Sequence, residues 1–385
     1  MPLRCPELRP LSPRSAQCCA EAQHGKQGNR GRSNRRRRGS MALALGLSCA
    51  LLGGCLGPAV PPKPSPGPLP PAAEVGAAGV SLPVEPVTTP LRHWQADTPV
   101  AQVLALHGYN DYGGAFAALG QDLSRRGISV FAYDQRGFGA SLGVWPDPHR
   151  SPDVDRLSAD LASVAQALAE RDPERPLFLL GESMGAAVAL VALERYPELP
   201  VAGVILQSPA LWGFRAMRWY ERWVLRGALG VSRAIRPEHV LTGARVEVRA
   251  SDNRARLIEM ALDPRVRNGA SVASVADLMT LMDAGLAALP SLAGPGRALV
   301  LYGRRDEVIP REALCALAER WPPAQALRTR VYADGYHMLT RDLGGAQVRA
   351  DIGRFILGEP VPAAVAGADA LADALGCPSA SAAGR

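Results

Sequence analysis

The strongest constraint on the fold of this chain is the stretch Gly-Glu-Ser-Met-Gly at residues 181–185. An apolar run at 177–180 precedes it, and an alanine-rich stretch at 186–196 follows it. This order is typical of a strand, a sharp turn and a helix, with glycine where a side chain would collide with the backbone. Such a turn lifts a serine hydroxyl above the end of a parallel sheet, at the N-terminus of a helix. The pattern therefore predicts a nucleophile at Ser183.

The body of the chain alternates short apolar runs with helical patterns. Runs typical of strands lie at residues 100–106, 128–133, 177–180, 201–206, 298–302 and 329–332, with helical patterns between most of them. Strands that alternate with helices of about ten to fifteen residues are typical of βαβ crossovers and a parallel sheet buried on both faces. We therefore expect an α/β fold with a mostly parallel sheet and helices on both faces.

The alternation stops at about residues 210–289, after the strand that ends near Leu206. This stretch carries helical patterns and no convincing sheet strand. An insertion between two strands of an open sheet projects over the carboxyl ends of the strands, where such sheets bind ligands. We expect a helical cap above Ser183.

Aromatic residues in the cap repeat at helical spacing. Trp212, Trp219 and Trp223 are separated by seven and four positions, and arginines lie among them. One interpretation is a cap helix that packs on its own domain. The other is an amphipathic lid that meets a lipid surface and lines an acyl pocket. The pattern is compatible with both.

A serine nucleophile needs a base to take its proton and a carboxylate to orient that base. Among the histidines of the body, only His337 follows the last predicted sheet strand at its carboxyl end, and Asp306 follows the strand before it. Ser183, Asp306 and His337 also occur in the chain order Ser, Asp, His that this type of sheet uses. We predict that these three residues form a catalytic triad.

Neighbouring residues offer alternatives and complete the predicted site. Glu307 and Asp334 are the alternative acids, each beside a favoured residue. His107 follows the first strand of the body, so a base at this position would not fit the chain order Ser, Asp, His. We expect His107 to support the oxyanion loop instead. The oxyanion donors are predicted to be the backbone N–H groups of Tyr109 and Met184.

Motifs at the strand ends resemble those of a known family. They are His107-Gly108, residues 134–141, the serine turn, Ser208-Pro209, Asp263-Pro264, Gly303 with Asp306 and Val308, and Tyr336-His337. With these motifs, residues 92–358 resemble the α/β-hydrolase superfamily, specifically its monoacylglycerol lipase and lysophospholipase branch of the serine aminopeptidase S33 type. The resemblance implies an α/β-hydrolase fold and a serine hydrolase that cleaves lipid esters through an acyl-enzyme, with no cofactor or metal.

The chain departs from the family pattern at two places. Asn110, Asp111 and Tyr112 stand where the family often has a glycine followed by an acidic residue or histidine, so the family does not predict the shape of this loop. Glu182 precedes the serine where many members have histidine. Neither difference removes a catalytic group.

Other functions are compatible with the same motifs. The rivals within serine chemistry are a thioesterase or small-ester carboxylesterase, and an acyltransferase in which an alcohol replaces water. A rival from another class is a non-catalytic surface lipoprotein that binds lipid or a partner through its cap. Reactivity of Ser183 towards a fluorophosphonate separates that binding protein from the enzymes.

The net charge of +7 comes from the first 40 residues. They hold ten basic and two acidic residues, whereas the remainder holds 33 basic and 34 acidic residues. The charge of the remainder therefore gives no indication of a basic surface that binds nucleic acid. The expected partners are a lipid or small-ester substrate and a membrane surface.

The residues that follow are typical of an export signal. Residues 41–55 are uncharged and shorter than the ~20 residues that a membrane-spanning helix needs. They end in Leu-Gly-Gly-Cys, which resembles the lipobox of bacterial lipoproteins. The resemblance implies that Cys55 is lipidated and anchors the mature chain in the cell envelope. Translation could begin at Met41 instead of Met1, although the signal would then lack a basic segment.

Composition divides the rest of the chain. We expect a leader at 1–55, a proline-rich tether at 56–90, the hydrolase domain at 91–358 and a disordered tail at 359–385. Of seven cysteines, only Cys315 and Cys377 lie in the body or tail, and we expect Cys315 to be a buried, inert thiol. No cysteine and histidine spacing suits zinc.

Overall fold

The computed structural model describes residues 68–378, except 77–78, 84–86, 146–149, 215–219, 221, 224–225, 228–229, 231–239, 242–247, 268 and 292–295. These residues all belong to one contact unit, Pro64–Arg385. The predicted leader and its lipidation site at Cys55 lie outside the described residues.

Strands and helices alternate along most of the described chain. The strands are β1 (Glu74–Val75), β2 (Val80–Leu82), β3 (Val87–Thr89), β4 (Leu91–Trp94), β5 (Ala101–Leu106), β6 (Ile128–Tyr133), β7 (Leu177–Glu182), β8 (Gly203–Gln207), β9 (Val240–Leu241), β10 (Ala270–Ser271), β11 (Ala298–Gly303), β12 (Leu327–Tyr332) and β13 (Val365–Ala366). The helices are α1 (Ala117–Ser124), α2 (Val154–Arg171), α3 (Met184–Arg195), α4 (Arg254–Leu262), α5 (Val272–Ala288), α6 (Arg311–Arg320), α7 (Gly345–Ile356) and α8 (Ala368–Leu375).

Eight of these strands form the main sheet, in the order β13-β12-β11-β8-β7-β5-β6-β4. The six strands from β12 to β6 in this order are parallel, whereas β4 and β13 pair antiparallel at the two edges. The carboxyl ends of the six parallel strands therefore meet at one edge of the sheet. The predicted α/β fold with a mostly parallel sheet is confirmed.

The sheet is buried on both faces. Along β5, Leu104 and Leu106 pack into a core with α2, α3 and α6, whereas Val103 and Ala105 pack on the opposite face with α1 and α7. Successive side chains of a strand point to opposite faces, so a strand covered on both sides is mostly apolar and buried along its whole length. All six residues of β5 are buried for this reason.

The predicted tether at 56–90 differs from the structure in its second half. β1, β2 and β3 form a small antiparallel sheet, and Val80 and Leu82 are fully buried. Ala73 also donates its N–H to the carbonyl of Ser163 in α2, at 3.0 Å. Proline keeps a chain extended only where it is frequent, and alternating apolar residues beyond the proline-rich run provide a buried face.

The predicted disordered tail at 359–385 also differs from the structure. β13 pairs with β12, and α8 buries Leu371 and Leu375. Cys377 forms a disulfide with Cys315 of α6, so the prediction of a free thiol at Cys315 is wrong. The alanine-rich composition of the tail concealed a short helix with an apolar face. Nothing in the local sequence indicates the pairing of two cysteines 62 positions apart.

The insertion between β8 and β11 contains α4, α5 and the short β9–β10 pair. Helix α5 packs closely on α3. A Cβ added at Gly285 of α5 would lie only 2.9 Å from the Cα of Ala187 in α3, so glycine permits this close contact. Trp223 is 61% exposed and Tyr220 is 43% exposed, whereas Trp219 lies outside the described residues. The exposure of Trp223 favours the lid interpretation at this position. Within the described ranges, no helix combines the length and apolar character needed to cross a bilayer.

Candidate active site

The turn between β7 and α3 holds Ser183 in a strained conformation. Its φ and ψ are 55° and −114°, which is rare for a residue with a side chain. A Cβ at Gly185 would lie 2.3 Å from the carbonyl oxygen of Leu106, and one at Gly181 would lie 2.5 Å from the backbone of Ala186. Both glycines are therefore needed for the close approach of helix and strands.

Hydrogen bonds from the neighbouring strand maintain this turn. The Ser183 N–H donates to the carbonyl of Gln207 at 2.9 Å, and its carbonyl accepts from the N–H groups of Ala186 and Ala210. Ser208, which follows Gln207 at the end of β8, donates its hydroxyl to the carbonyl of His337 at 2.9 Å. The end of β8 thus lies between the serine turn and the loop that carries His337.

His337 and Asp306 form a buried hydrogen-bonded pair. The Nδ1 of His337 lies 2.9 Å from Oδ2 of Asp306, whose side chain is fully buried. The other oxygen of Asp306 accepts from the N–H groups of Val308 and Ile309, each at 2.8 Å. An ionised carboxylate only accepts hydrogen bonds, so the proton of a neutral His337 lies on Nδ1 and Nε2 has the free lone pair.

The loop after β5 lies against the serine. A Cβ added at Gly108 would be 3.3 Å from the Cβ of Ser183 and 3.9 Å from its Oγ. Among the hydrogen bonds between described residues, the N–H groups of Tyr109 and Met184 have no acceptor. Buried N–H groups without a partner are rare. These two are free to bind an oxygen atom next to Ser183.

His107 orients the peptide that carries one of these N–H groups. It is fully buried, and its Nε2 accepts from the N–H of Gln135 at 3.0 Å. Its Nδ1 therefore carries the proton and donates to the carbonyl of Gly108 at 2.9 Å. In a trans peptide the carbonyl and the following N–H point in opposite directions, so this bond directs the Tyr109 N–H away from His107. Burial also lowers the pKa of His107.

Tyr109 and two of the residues that depart from the family pattern, Asn110 and Tyr112, connect this loop to the cap. The hydroxyl of Tyr109 is hydrogen-bonded to that of Ser274 in α5, and the Tyr112 hydroxyl donates to Asp263 at 2.8 Å. Burial and the bond to Asp263 raise the pKa of Tyr112 to about 12. Asn110 lies in the left-handed region at φ 64°, which asparagine tolerates better than most residues.

The alternative acids do not contact His337 in the described structure. Asp334 is 81% exposed at its side chain and pairs with Arg305 at 2.6 Å. Glu307 is exposed and accepts from the N–H of Arg249 at 2.8 Å. The structure therefore pairs His337 with Asp306, as the strand order predicts. Within the described chain, no group of three or more His, Cys, Asp or Glu side chains is arranged to hold a metal ion.

One buried group at the site was absent from the sequence predictions. Arg341 lies in the helical turn Leu339–Arg341 and pairs with Asp111 and Glu182. These partners are 230 and 159 positions away along the chain. No local pattern could have revealed contacts of this separation, although the carboxylate beside Ser183 was visible as a departure from the family pattern.

Comparison with known proteins places this arrangement in a family. Residues 97–344 match the family described as serine aminopeptidase, S33 (Hydrolase_4). The chain belongs to this family.

Related sequences and structures agree with this family assignment. A monoglyceride lipase from Rattus norvegicus is 34% identical over 121 residues, covering 31% of this chain and 39% of that protein. Lysophospholipase L2 of Escherichia coli K12 is 30% identical over 117 residues, covering 28% of this chain and 34% of that protein. The chain thus spans less than half the length of these curated relatives. The crystal structure of Paleococcus ferrophilus monoacylglycerol lipase superposes with a TM-score of 0.57 at 21% identity, covering 71% of this chain and 99% of that one. This likeness shows the α/β-hydrolase fold.

Proposed function

We propose that the protein is a serine hydrolase that cleaves carboxylic esters of singly acylated lipids, either monoacylglycerols or lysophospholipids. The observation that carries the proposal is the strained turn at Ser183, at the sheet edge that also holds the buried His337–Asp306 pair. In this proposal Ser183 is the nucleophile, His337 the base and Asp306 the orienting acid.

Acylation begins when the Ser183 Oγ attacks the ester carbonyl carbon. The hydroxyl proton moves to Nε2 of His337, and Asp306 stabilises the resulting imidazolium. The carbonyl oxygen becomes an oxyanion and accepts from the N–H groups of Tyr109 and Met184. The bond to the glycerol oxygen then breaks, and the leaving alcohol takes the proton from Nε2. The acyl chain remains on Ser183.

Deacylation repeats the sequence with water. His337 removes a proton from a water molecule, whose oxygen attacks the acyl carbon and forms a second oxyanion. The bond to Oγ breaks, and Ser183 recovers the proton from Nε2. This step releases a fatty acid and regenerates the hydroxyl of Ser183. The cycle therefore needs no redox partner.

The proposed substrate class rests on two observations. The relatives are a monoglyceride lipase and a lysophospholipase, and both names refer to lipids that carry a single acyl chain. The cap exposes Tyr220 and Trp223, side chains suited to the boundary of a lipid layer. The cap, more than the serine turn, is expected to select the acyl chain.

A lipid-ester panel tests this function. We expect kcat/KM for 1-oleoylglycerol or a lysophospholipid to exceed that for dioleoylglycerol by at least about tenfold, because a second chain adds bulk that a pocket for one chain excludes. In parallel, we expect a fluorophosphonate to label Ser183, and peptide mass spectrometry identifies the labelled residue. An unlabelled Ser183 would indicate a non-catalytic binding protein. A preference for acyl thioesters would indicate a thioesterase, and acyl transfer to added alcohol would indicate an acyltransferase.

We also propose that the protein is exported and anchored by lipid at Cys55. The uncharged run at 41–55, with cysteine at its end, supports this location. The disulfide between Cys315 and Cys377 supports it independently, since disulfides persist mainly in oxidising compartments outside the cytosol.

Mass spectrometry of the mature protein from a bacterial host tests the anchor. We expect an N-terminal peptide that begins at Cys55 and carries acyl chains, and a Cys55→Ser variant that leaves the membrane fraction. A mature chain that retains residues 41–54, or a Cys55→Ser variant that stays with the membrane, would contradict the proposal.

A further inference from the structure

Arg341 is an arginine held inside the protein by two carboxylates. It is 7% exposed and lies four positions after His337. Its Nη1 donates to Oδ2 of Asp111 at 2.6 Å, and its Nη2 donates to Oε1 of Glu182. Both carboxylates are buried as well. The guanidinium therefore connects three segments that are distant in sequence.

Each of the three segments carries one component of the proposed active site. Glu182 immediately precedes Ser183, and its second oxygen accepts from Nε2 of Gln207 at 2.9 Å. Asp111 lies two positions after Tyr109, and its N–H donates to the Gly108 carbonyl at 3.3 Å. The cluster of Asp111, Glu182 and Arg341, named the carboxylate bridge below, thus joins the serine turn, the oxyanion loop and the histidine loop.

The charges of the carboxylate bridge depend on one another. Burial alone would lower the pKa of Arg341, but the carboxylates of Glu182 and Asp111 raise it above its ordinary value. Burial raises the pKa of Glu182, and Arg341 opposes this effect. Without the guanidinium, two buried carboxylates would lack the charge that holds them together.

Stability alone does not account for such a cluster. Replacement of buried ion pairs by apolar side chains is often neutral or stabilising, so a buried pair is weak evidence for stability. The planar guanidinium, in contrast, presents donors in a rigid fork that fixes two acceptors relative to each other. Here the two acceptors belong to the loops that supply the two oxyanion N–H groups.

We propose that Arg341 is a positioning residue that sets the distance between the N–H groups of Tyr109 and Met184 by holding Asp111 and Glu182 on one guanidinium. This inference rests on the proposed serine hydrolase function. Arg341 does not touch the reacting atoms. It acts on the oxyanion through the two loops, so its loss affects the chemical step more than substrate binding.

Two variants separate positioning from stability. Arg341→Lys keeps the positive charge, but its compact ammonium lacks the rigid two-pronged geometry. The triple variant Asp111→Asn/Glu182→Gln/Arg341→Met removes all three charges and leaves no uncompensated carboxylate. We expect both to keep a thermal midpoint within about 4 °C of the wild type. We expect kcat to fall at least about tenfold in Arg341→Lys and about 100-fold in the triple variant, with KM little changed.

The rate of Ser183 labelling by a fluorophosphonate provides a second readout and should fall in parallel with kcat. Arg349→Met is the matched control. Arg349 donates to Asp122 of α1 and to the carbonyl of Thr340, the residue before Arg341, and neither bond involves a member of the carboxylate bridge. Its labelling rate should stay within about twofold of the wild type.

The outcomes are distinct. Wild-type kcat and labelling in both Arg341→Lys and the triple variant would overturn the inference while leaving the proposed function intact. Loss of the thermal transition in both variants would also overturn it, because the bridge would then be a requirement for folding. Failure of the wild-type protein itself to label at Ser183 would overturn the proposed function, and this inference with it.

Discussion

Replacement of Ser183 by alanine is expected to lower kcat for p-nitrophenyl butyrate by about six orders of magnitude. The hydroxyl is the nucleophile of the acylation step in the proposed mechanism, and without it no acyl-enzyme forms. The remaining oxyanion donors and binding contacts would still accelerate hydrolysis by about 10³ to 10⁴ over water. Steady-state kinetics with purified protein, at high enzyme concentration, measures this loss.

The fold of Ser183→Ala should be unchanged. Alanine keeps the Cβ that the strained backbone already accommodates, and the hydrogen bonds of this turn come from backbone groups. Circular dichroism and the thermal midpoint should therefore match the wild type. Ser124→Ala is the matched control with full activity, at a half-buried serine whose hydroxyl donates to the carbonyl of Gln121 in α1. Unchanged turnover in Ser183→Ala would remove Ser183 from the mechanism.

Replacement of Asp306 by asparagine is expected to lower kcat about 10⁴-fold. One carboxylate oxygen accepts from the N–H groups of Val308 and Ile309, and the other faces Nδ1 of His337. The oxygen of the asparagine amide should keep the two backbone donors, which leaves its NH₂ group facing Nδ1. Nδ1 must then accept, so the proton moves to Nε2 and His337 cannot receive the serine proton.

Two neighbouring acids provide matched controls for Asp306→Asn. Asp334→Asn and Glu307→Gln change a carboxylate at the same edge of the sheet without touching the contact to His337. Both should keep kcat within about twofold of the wild type. A large loss in either variant, together with full activity in Asp306→Asn, would assign the orienting role to the other acid.

Local patterns predicted the parts of the fold that depend on local interactions. Strand β6 begins and ends at the residues expected from its apolar run at 128–133. The turn at residues 181–185 is recognisable from its two glycines around a serine, although only Gly181 approaches its own strand–turn–helix unit, whereas Gly185 approaches Leu106 of β5. The pairing of Asp306 with His337 was predictable in the same way, since each follows an identifiable strand.

Other parts of the structure depend on contacts that the local sequence does not show. The strands in the predicted tether and the helix in the predicted tail are too short to carry a strong period, and they are stabilised by the domain on which they pack. The disulfide at Cys377 follows from the position of α8 beside α6. The contacts of Tyr109 and Tyr112 with the cap likewise require that the cap lie over the oxyanion loop.

Local sequence patterns specify which residues follow the ends of the strands, and they therefore identify the candidate nucleophile, base and acid. Hydrophobic period, turn chemistry and the order of motifs along the chain carry this information. The folded structure establishes how the loops that carry these residues are held together. The carboxylate bridge through Arg341 joins segments up to 230 positions apart. Such a contact depends on strand order and packing, because no local preference of the backbone acts over that separation.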